Sequence, residues 1–450
     1  MEFIILFATI IAIVEINRRS VADSLIDVGL SALLLVPAIY SLHIPHLPTI
    51  GFGDATIVPI GIATLVKYGK QWKFQRSDLW LVLFIGGLYC AEFSSTGPTD
   101  AGLVLYGAIS VGFFPYVIGK LLLEQDGVRE RFVRRFVILL VIVAVLSVWE
   151  YRMGTNLFTT FFGVLFPGQR PWITQIRGGF IRIQGPYQGS ILGGMIFLVG
   201  VLFSMWVGSI DDAQGTNKKY LGVKRSTLFT LAIAFGLFMT QSRGPELGCI
   251  LGFLIARIGR AKNMRRAAII TLLLCVVGGT VGYIKAQQYT SGSIWDAKDT
   301  EQENAIYRRE LLDNYKPIVE KGGLFGYGVV NWPKIPGQPS IDNEFLFLEI
   351  TQGKLGFWMY CLLAAEAVIA SLRAARRAAQ RRDVYFSLCI AGAVLGLLLT
   401  LTTVYMGAQS YPLFFLLMGW SQSLRQTQGA TAAVPEAAAT GRLRFRRVFA

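Results

Sequence analysis

Apolar residues in this chain are gathered into runs, and polar ones into the short segments between them. Thirteen runs stand out, near 3–16, 24–42, 50–66, 78–93, 101–123, 132–149, 189–207, 226–240, 246–258, 267–284, 343–371, 384–404 and 409–424. The stretches 191–207, 267–283 and 386–404 hold almost no charge. Each is near the length an α-helix needs to cross roughly 30 Å of hydrocarbon. The pattern predicts an all-α polytopic membrane protein with twelve or thirteen transmembrane helices. The first run and the short pair 226–258 are the least sharply marked.

The connections alternate in charge. Segments 18–19, 67–76, 129–135, 218–225, 260–266 and 373–382 are rich in Lys and Arg. The short connections 43–49, 94–100 and 405–409 between them have none. Basic loops stay in the cytoplasm, so the other connections are expected outside, and the basic tail 442–447 inside. Thirteen helices put the N-terminus outside and twelve put it inside. Residues 1–15 lack a basic leader and a small-residue cleavage site, and are read as a retained helix rather than a signal peptide.

Five parts follow from this reading. They are N-terminal helices (1–149), central helices (150–284), a large external loop (285–342), C-terminal helices (343–424) and a disordered basic tail (425–450). In the loop, 301–321 reads as an amphipathic helix with Tyr307, Leu311, Tyr315 and Ile318 on one face. Long loops with structure of their own are usually functional.

Composition agrees: 53% of residues are hydrophobic and 16% charged, against about 25% charged in soluble domains. The net charge of +15 sits in clusters between apolar runs, which argues against nucleic acid as a partner and for the bilayer. The five cysteines all lie in apolar runs without CxxC spacing and read as small core residues. His43 and His46 form an HxxH pair with no carboxylate or Cys beside it in sequence. No D-x-D pair occurs in the external segments, so no metal and no cofactor is expected.

Three constellations could carry chemistry, all on the expected external side. The first is 182–188, R-I-Q-G-P-Y-Q, where Arg170, Arg177 and Arg182 lie close to the membrane. It suits either headgroup anchoring or an anion-binding surface. The second is 242–246, S-R-G-P-E. Its flanking helices are short, so Arg243 is expected below the membrane surface, where a cation needs a polar cavity or a partner. Either Arg243 and the free N–H groups of the helix start bind phosphate, or Glu246 neutralises Arg243. The third is the loop, with Arg308 and Arg309 in its helix, the glycine turn 324–329 (L-F-G-Y-G-V), and 341–345 (I-D-N-E-F) opening the next helix. Asp342 or Asn343 could be its N-cap.

In these three places the chain resembles the O-antigen ligase and polysaccharide polymerase superfamily, over about residues 170–360. The resemblance lies in Arg182–Pro186 before a helix, Ser242–Gly244 between two helices, Gly326–Gly328 ending a large loop, and Asn343 just before a helix. Ligases of that family usually carry a His beside this Asn. Here Asp342 stands there, which is more similar to the polymerase branch.

The resemblance implies a metal-independent glycosyltransferase of the bacterial inner membrane, acting at its periplasmic face. It would polymerise undecaprenyl-diphosphate-linked repeat units into an exopolysaccharide or O-antigen. Ligation of glycan to a lipid or protein acceptor is the nearest alternative, and a flippase for lipid-linked oligosaccharide a more distant one. Donor and acceptor would be lipid-linked glycans, with a flippase and a chain-length regulator as partners. Cations must then absorb diphosphate charge and a base must take the acceptor proton. The implied catalytic residues are Asp342 as base, Glu344 behind it, and Arg243. The implied substrate contacts are Arg182, Gln184, Tyr187, Arg308, Arg309, Tyr327 and Asn343.

Overall fold

The computed structural model describes residues 2–169, 172–220, 222–338 and 340–431. Arg170 lies outside them. The chain is mostly helical, and each of the thirteen apolar runs forms helix. Seven helices are individually long and apolar enough to cross a membrane: Arg76–Thr96, Pro98–Leu121, Val128–Met153, Ser190–Ala213, Met264–Tyr289, Glu344–Arg377 and Arg381–Leu401. The others are shorter or interrupted. Residues 21–35 pass through a π-helical stretch at Ser24–Gly29, and Phe52–Tyr68 contains Pro59. Arg225–Met239 and Arg243–Ile258 span 15 and 16 residues. The last helix, Ser410–Thr431, runs into the tail expected to be disordered. The rest of that tail lies outside the described residues.

Hydrogen bonds and ion pairs sort the connections onto two faces. On the basic face, Arg129 joins Glu124 and, at 2.6 Å, Asp383. Arg134 lies 2.7 Å from Asp211, and Lys120 reaches Asp78 at 2.6 Å with both side chains buried. Between these charges sits an aromatic cluster: Phe136 meets Phe203 edge to face at 5.3 Å, and Phe386 lies 4.9 Å from Trp420. Where helices touch most closely, both carry glycine. A Cβ on Gly248 would stand 2.4 Å from the Gly396 carbonyl, and one on Gly252 would stand 2.9 Å from that of Gly392. This glycine seam lets Arg243–Ile258 and Arg381–Leu401 pack backbone to backbone, as small residues do between membrane helices. Met264–Tyr289 is the opposite case, with no buried residue; its Leu, Val and Ile side chains are left largely exposed, as suits a helix that faces lipid.

The opposite face carries the long connections, tied to one another. Ser41 is bonded to Gln169, and Gln409 donates to the carbonyls of Val36 and Pro186. The amphipathic helix Thr300–Gly322 forms where the sequence predicts it. Its Leu311 and Tyr315 are buried against Ile341, Leu346 and Ile350, with Tyr307 and Ile318 packed alongside. The glycine turn after it lies along the start of Glu344–Arg377, which kinks at Gly353. The Tyr327 and Gly328 amides donate to Ile350 O and Thr351 O, each at 2.9 Å, and Leu355 N donates to Leu324 O at 3.0 Å. Gly326 has φ +73°, and a Cβ there would meet Gly353 N at 2.5 Å. Only glycine fits such an approach.

Candidate active site

Three carboxylates anchor the loop face. Glu92, Glu150 and Glu344 stand at its ends of three helices, each no more than 1% exposed. Glu92 accepts the Val329 and Val330 amides and the Thr96 hydroxyl. Glu150 accepts Gln184 N at 3.0 Å, Gly185 N at 2.9 Å and Asn156 Nδ2 at 3.2 Å. Glu344 accepts Met406 N at 2.6 Å. A buried carboxylate is tolerable when donors surround it, and here most of those donors are backbone N–H groups of loops. The loops are pinned to helix ends that lie tens to hundreds of residues away in sequence.

Pinned this way, the loops bring arginines together. Arg177 and Arg182 sit on the hairpin Gln175–Arg177/Phe180–Arg182. Its turn is Gly178–Gly179, both at positive φ, as a two-residue hairpin turn requires. Arg182 spreads its fork over Thr240 O (Nε, 3.1 Å), Gln175 Oε1 (Nη1, 2.8 Å) and Ser242 Oγ (Nη2, 2.9 Å). Arg177 donates to Gln241 O at 3.0 Å. Gln241 itself is a non-glycine residue at φ +48°, a conformation that costs energy and clusters at working sites. Burial, and after it the charges of Arg177 and Arg308, push the Arg182 guanidinium down to about 10, which leaves it charged at neutral pH.

Arg308 enters from the loop helix. Burial pushes its guanidinium down, the charge of Asp342 holds it up, and Arg177 again pushes it down. Its Nε is buried without a partner. Among the described residues neither Arg182 nor Arg308 makes an ion pair. Asp342 is half-buried and accepts the Ser340 hydroxyl at 3.1 Å. The helix cap is Asn343, whose Oδ1 accepts Leu346 N at 3.1 Å. That resolves the choice between Asp342 and Asn343 and leaves the Asp342 carboxylate beside Arg308.

Arg243 opens its helix with Pro245 in the first turn, as predicted, and no side chain caps the start. Its partner is Glu301 of the loop helix, not Glu246. Glu301 also lies 3.2 Å from Arg177, so one carboxylate bridges two arginines. The Arg243 side chain is 63% exposed, in a shallow cleft with Arg177, Gln241 and Glu246, rather than sunk in a closed cavity. Gly244 holds the helix start against the next element, since a Cβ there would stand 2.6 Å from Thr403 Oγ1.

Several residues that the resemblance implies as substrate contacts are engaged within the protein. Tyr187 is 1% exposed, packs edge to face on Phe197, and its hydroxyl has no partner. Gln184 is buried, with its amide on Ile173 O at 2.6 Å. Tyr327 turns its hydroxyl to Ile318 O at 3.2 Å. Arg309 spends its guanidinium on the carbonyls of Thr290 and Gly292, fixing the approach to the loop helix. Glu344 is enclosed and bound to Met406 N. The sequence reading overlooked Glu92, Glu150 and Glu301; nothing local separates them from ordinary glutamates, because their partners are remote. Among the described residues no three His, Cys, Asp or Glu side chains gather where they could hold a metal.

Residues 228–361 match the family model described as O-antigen ligase. This segment runs from the helix before Arg243 through the loop helix and Asp342 into the kinked helix. The match covers less than a third of the chain and supports O-antigen ligase superfamily membership. With the membrane-spanning helices, the match supports a multi-pass membrane enzyme of the ligase or polymerase type, similar to glycosyltransferases of glycan assembly. No curated protein matches the chain. Arg177 and Arg182 lie before the matched segment and are joined to it by hydrogen bonds to Gln241, Thr240 and Ser242.

Proposed function

We propose that the protein polymerises lipid-diphosphate-linked repeat units at the membrane face that carries the large loop, which is the periplasmic face of a bacterial inner membrane. The donor is a growing glycan on undecaprenyl diphosphate, and the acceptor is a sugar hydroxyl of another lipid-linked unit. The acceptor oxygen bonds to the anomeric carbon of the donor. The bond from that carbon to the diphosphate oxygen breaks, and its electron pair leaves with the diphosphate, which stays on the lipid. Arg182 and Arg308, with Arg177 and Arg243 beside them, receive that charge. Asp342 takes the acceptor proton.

One observation carries this reading: Arg182 and Arg308 are half-buried and feel one another's charge, neither makes an ion pair among the described residues, and Asp342 stands beside Arg308. Half-buried cations gathered without an ion pair of their own favour an anionic ligand. Polymerisation is preferred to ligation because Asp342 occupies the position where the ligases usually carry His. A flippase is disfavoured because Arg177, Arg182, Arg243 and Arg308 all gather on one face. On the other face Arg129 and Arg134 are matched to carboxylates. A substrate path would need free cations on both faces.

The test is incubation of purified protein with lipid-linked repeat units, followed by sizing of the glycan. A ladder of multiples supports polymerisation. Transfer of a single glycan to a non-identical acceptor supports ligation. Movement of the lipid between leaflets without a new glycosidic bond refutes both.

A further inference from the structure

A second cavity lies on the loop face, across the 182–188 segment from the arginines. Its volume is about 270 Å³, near the lower end of the ~300–1,000 Å³ common for ligand sites and suited to one sugar ring. Its wall is mostly apolar, with Ser41, Thr49, Asp54, Ser110, Gln188 and Gln409 as polar residues and Trp172 also in the lining. Gln409 is 5% exposed. The carbonyls of Val36 and Pro186 fix its Nε2, at 3.1 and 2.9 Å, so its Oε1 is identified as the free acceptor. That oxygen is buried and unpartnered. Next to it Ala408, also in the wall, holds φ +40°, a conformation costly for a residue with a Cβ. Among the described residues no Lys, Arg or His lines the space, which argues against a diphosphate site.

We propose that this cavity holds one uncharged sugar residue of the acceptor glycan. A hydroxyl donates to Gln409 Oε1, further hydroxyls reach Asp54 and Gln188, and the apolar C–H face of the ring lies on Trp172. Planar amides and a carboxylate set around an aromatic face suit a polyol better than an alkyl chain, which would leave Gln409 Oε1 unsatisfied. The position fits as well. Six residues separate Arg182 from Gln188, so an extended chain puts them no more than ~22 Å apart, a span a few sugar units can cover. This inference rests on the polymerase reading, but its binding step does not require turnover.

The test uses full-length protein in lipid nanodiscs, with methyl glycosides of glucose, galactose and their N-acetylamino forms as probes. Saturation transfer from protein to ring protons is measured for the parent protein and for Trp172→Ala and Ala38→Phe. Ala38 is a half-exposed wall residue, where a larger side chain fills the space. At least one glycoside should show transfer, reduced about ten-fold in both variants and retained in Arg182→Ala. Equal transfer in the parent and both filled or stripped variants overturns the proposal, and so does no transfer from any glycoside. Displacement of the glycosides by alkyl chains, with Gln409→Leu binding those chains better, also overturns it in favour of a lipid. Glycan growth is assayed in parallel. Growth without glycoside binding refutes the cavity alone, and binding without growth refutes the polymerase reading alone.

Discussion

On the proposed reading, Glu301 competes with the donor diphosphate for two arginines. It bridges Arg177 at 3.2 Å and Arg243, so a donor must displace it or share those cations. Replacing Glu301 with Gln keeps the size and helical character of the side chain and removes the competing charge. The energy at stake follows from exposure: Glu301 is 35% exposed, Arg177 26% and Arg243 63%. Partly exposed ion pairs contribute about 0–1 kcal/mol each, and two together about 1 kcal/mol. Release of that competition should lower the KM for lipid-linked donor roughly five-fold with kcat little changed. The gain should shrink as ionic strength rises from about 0.05 to 0.5 M, because the competition is electrostatic and screened. Initial rates of glycan formation at several donor and salt concentrations measure both effects. An unchanged or raised KM at low salt would refute the reasoning, and Glu301 would then serve only to dock the loop helix.

Other outcomes are expected. Asp342→Asn should leave thermal stability unchanged, since Asn343 is the helix cap, and should lower turnover roughly 100-fold if Asp342 accepts the proton; full turnover removes it from the mechanism. Arg182→Lys should lose at least about ten-fold in kcat/KM, because a point charge cannot bridge Thr240, Ser242 and a phosphate as a fork does; parent-like rates would show that charge alone suffices. Tyr187→Phe should be neutral to about 1 kcal/mol stabilising in a thermal melt and leave activity intact, as its buried hydroxyl has no partner. Cysteine at Ser291 should react with an impermeant thiol reagent from outside the inner membrane, and cysteine at Gln380 should not; the reverse labelling inverts the topology.

Much of this fold could be read from the sequence because membrane helices announce themselves locally. Every apolar run became a helix, and the 3.6-residue period of Tyr307, Leu311, Tyr315 and Ile318 sufficed to find the loop helix. Arg182 and Arg308 are conspicuous in the sequence too, as arginines near apolar runs, and their charges reach one another in the structure. The harder question was which neighbour each residue faces. Arg243 pairs with Glu301, 58 residues on, rather than with Glu246 three residues on. Glu92 serves Val330, 238 residues away. Tyr187 and Tyr327 sit inside motifs that point to a site, yet they hold the motifs in shape. A motif marks a place where the backbone must be right, and some of its side chains are there for the backbone.

The uncovered helix Met264–Tyr289 has a mechanical consequence. Its apolar part, 267–284, is about 27 Å long at 1.5 Å per residue, close to the roughly 30 Å of a bilayer core. Arg265 and Arg266 bracket it at one end and Lys285 at the other. It leans on Arg243–Ile258 along one side only and buries no residue there, so the lipid has a large part in setting its height. The last turn projects beyond the bilayer like a stilt, and Arg309 grips the carbonyls of Thr290 and Gly292 just above it. Arg308, next in the chain, belongs to the arginine cluster. A thicker or thinner membrane would move this rod relative to the bundle, and the rod's upper end is one residue removed from the site. The large loop is thus suspended between a glycine-seamed bundle and a support whose level responds to acyl-chain length.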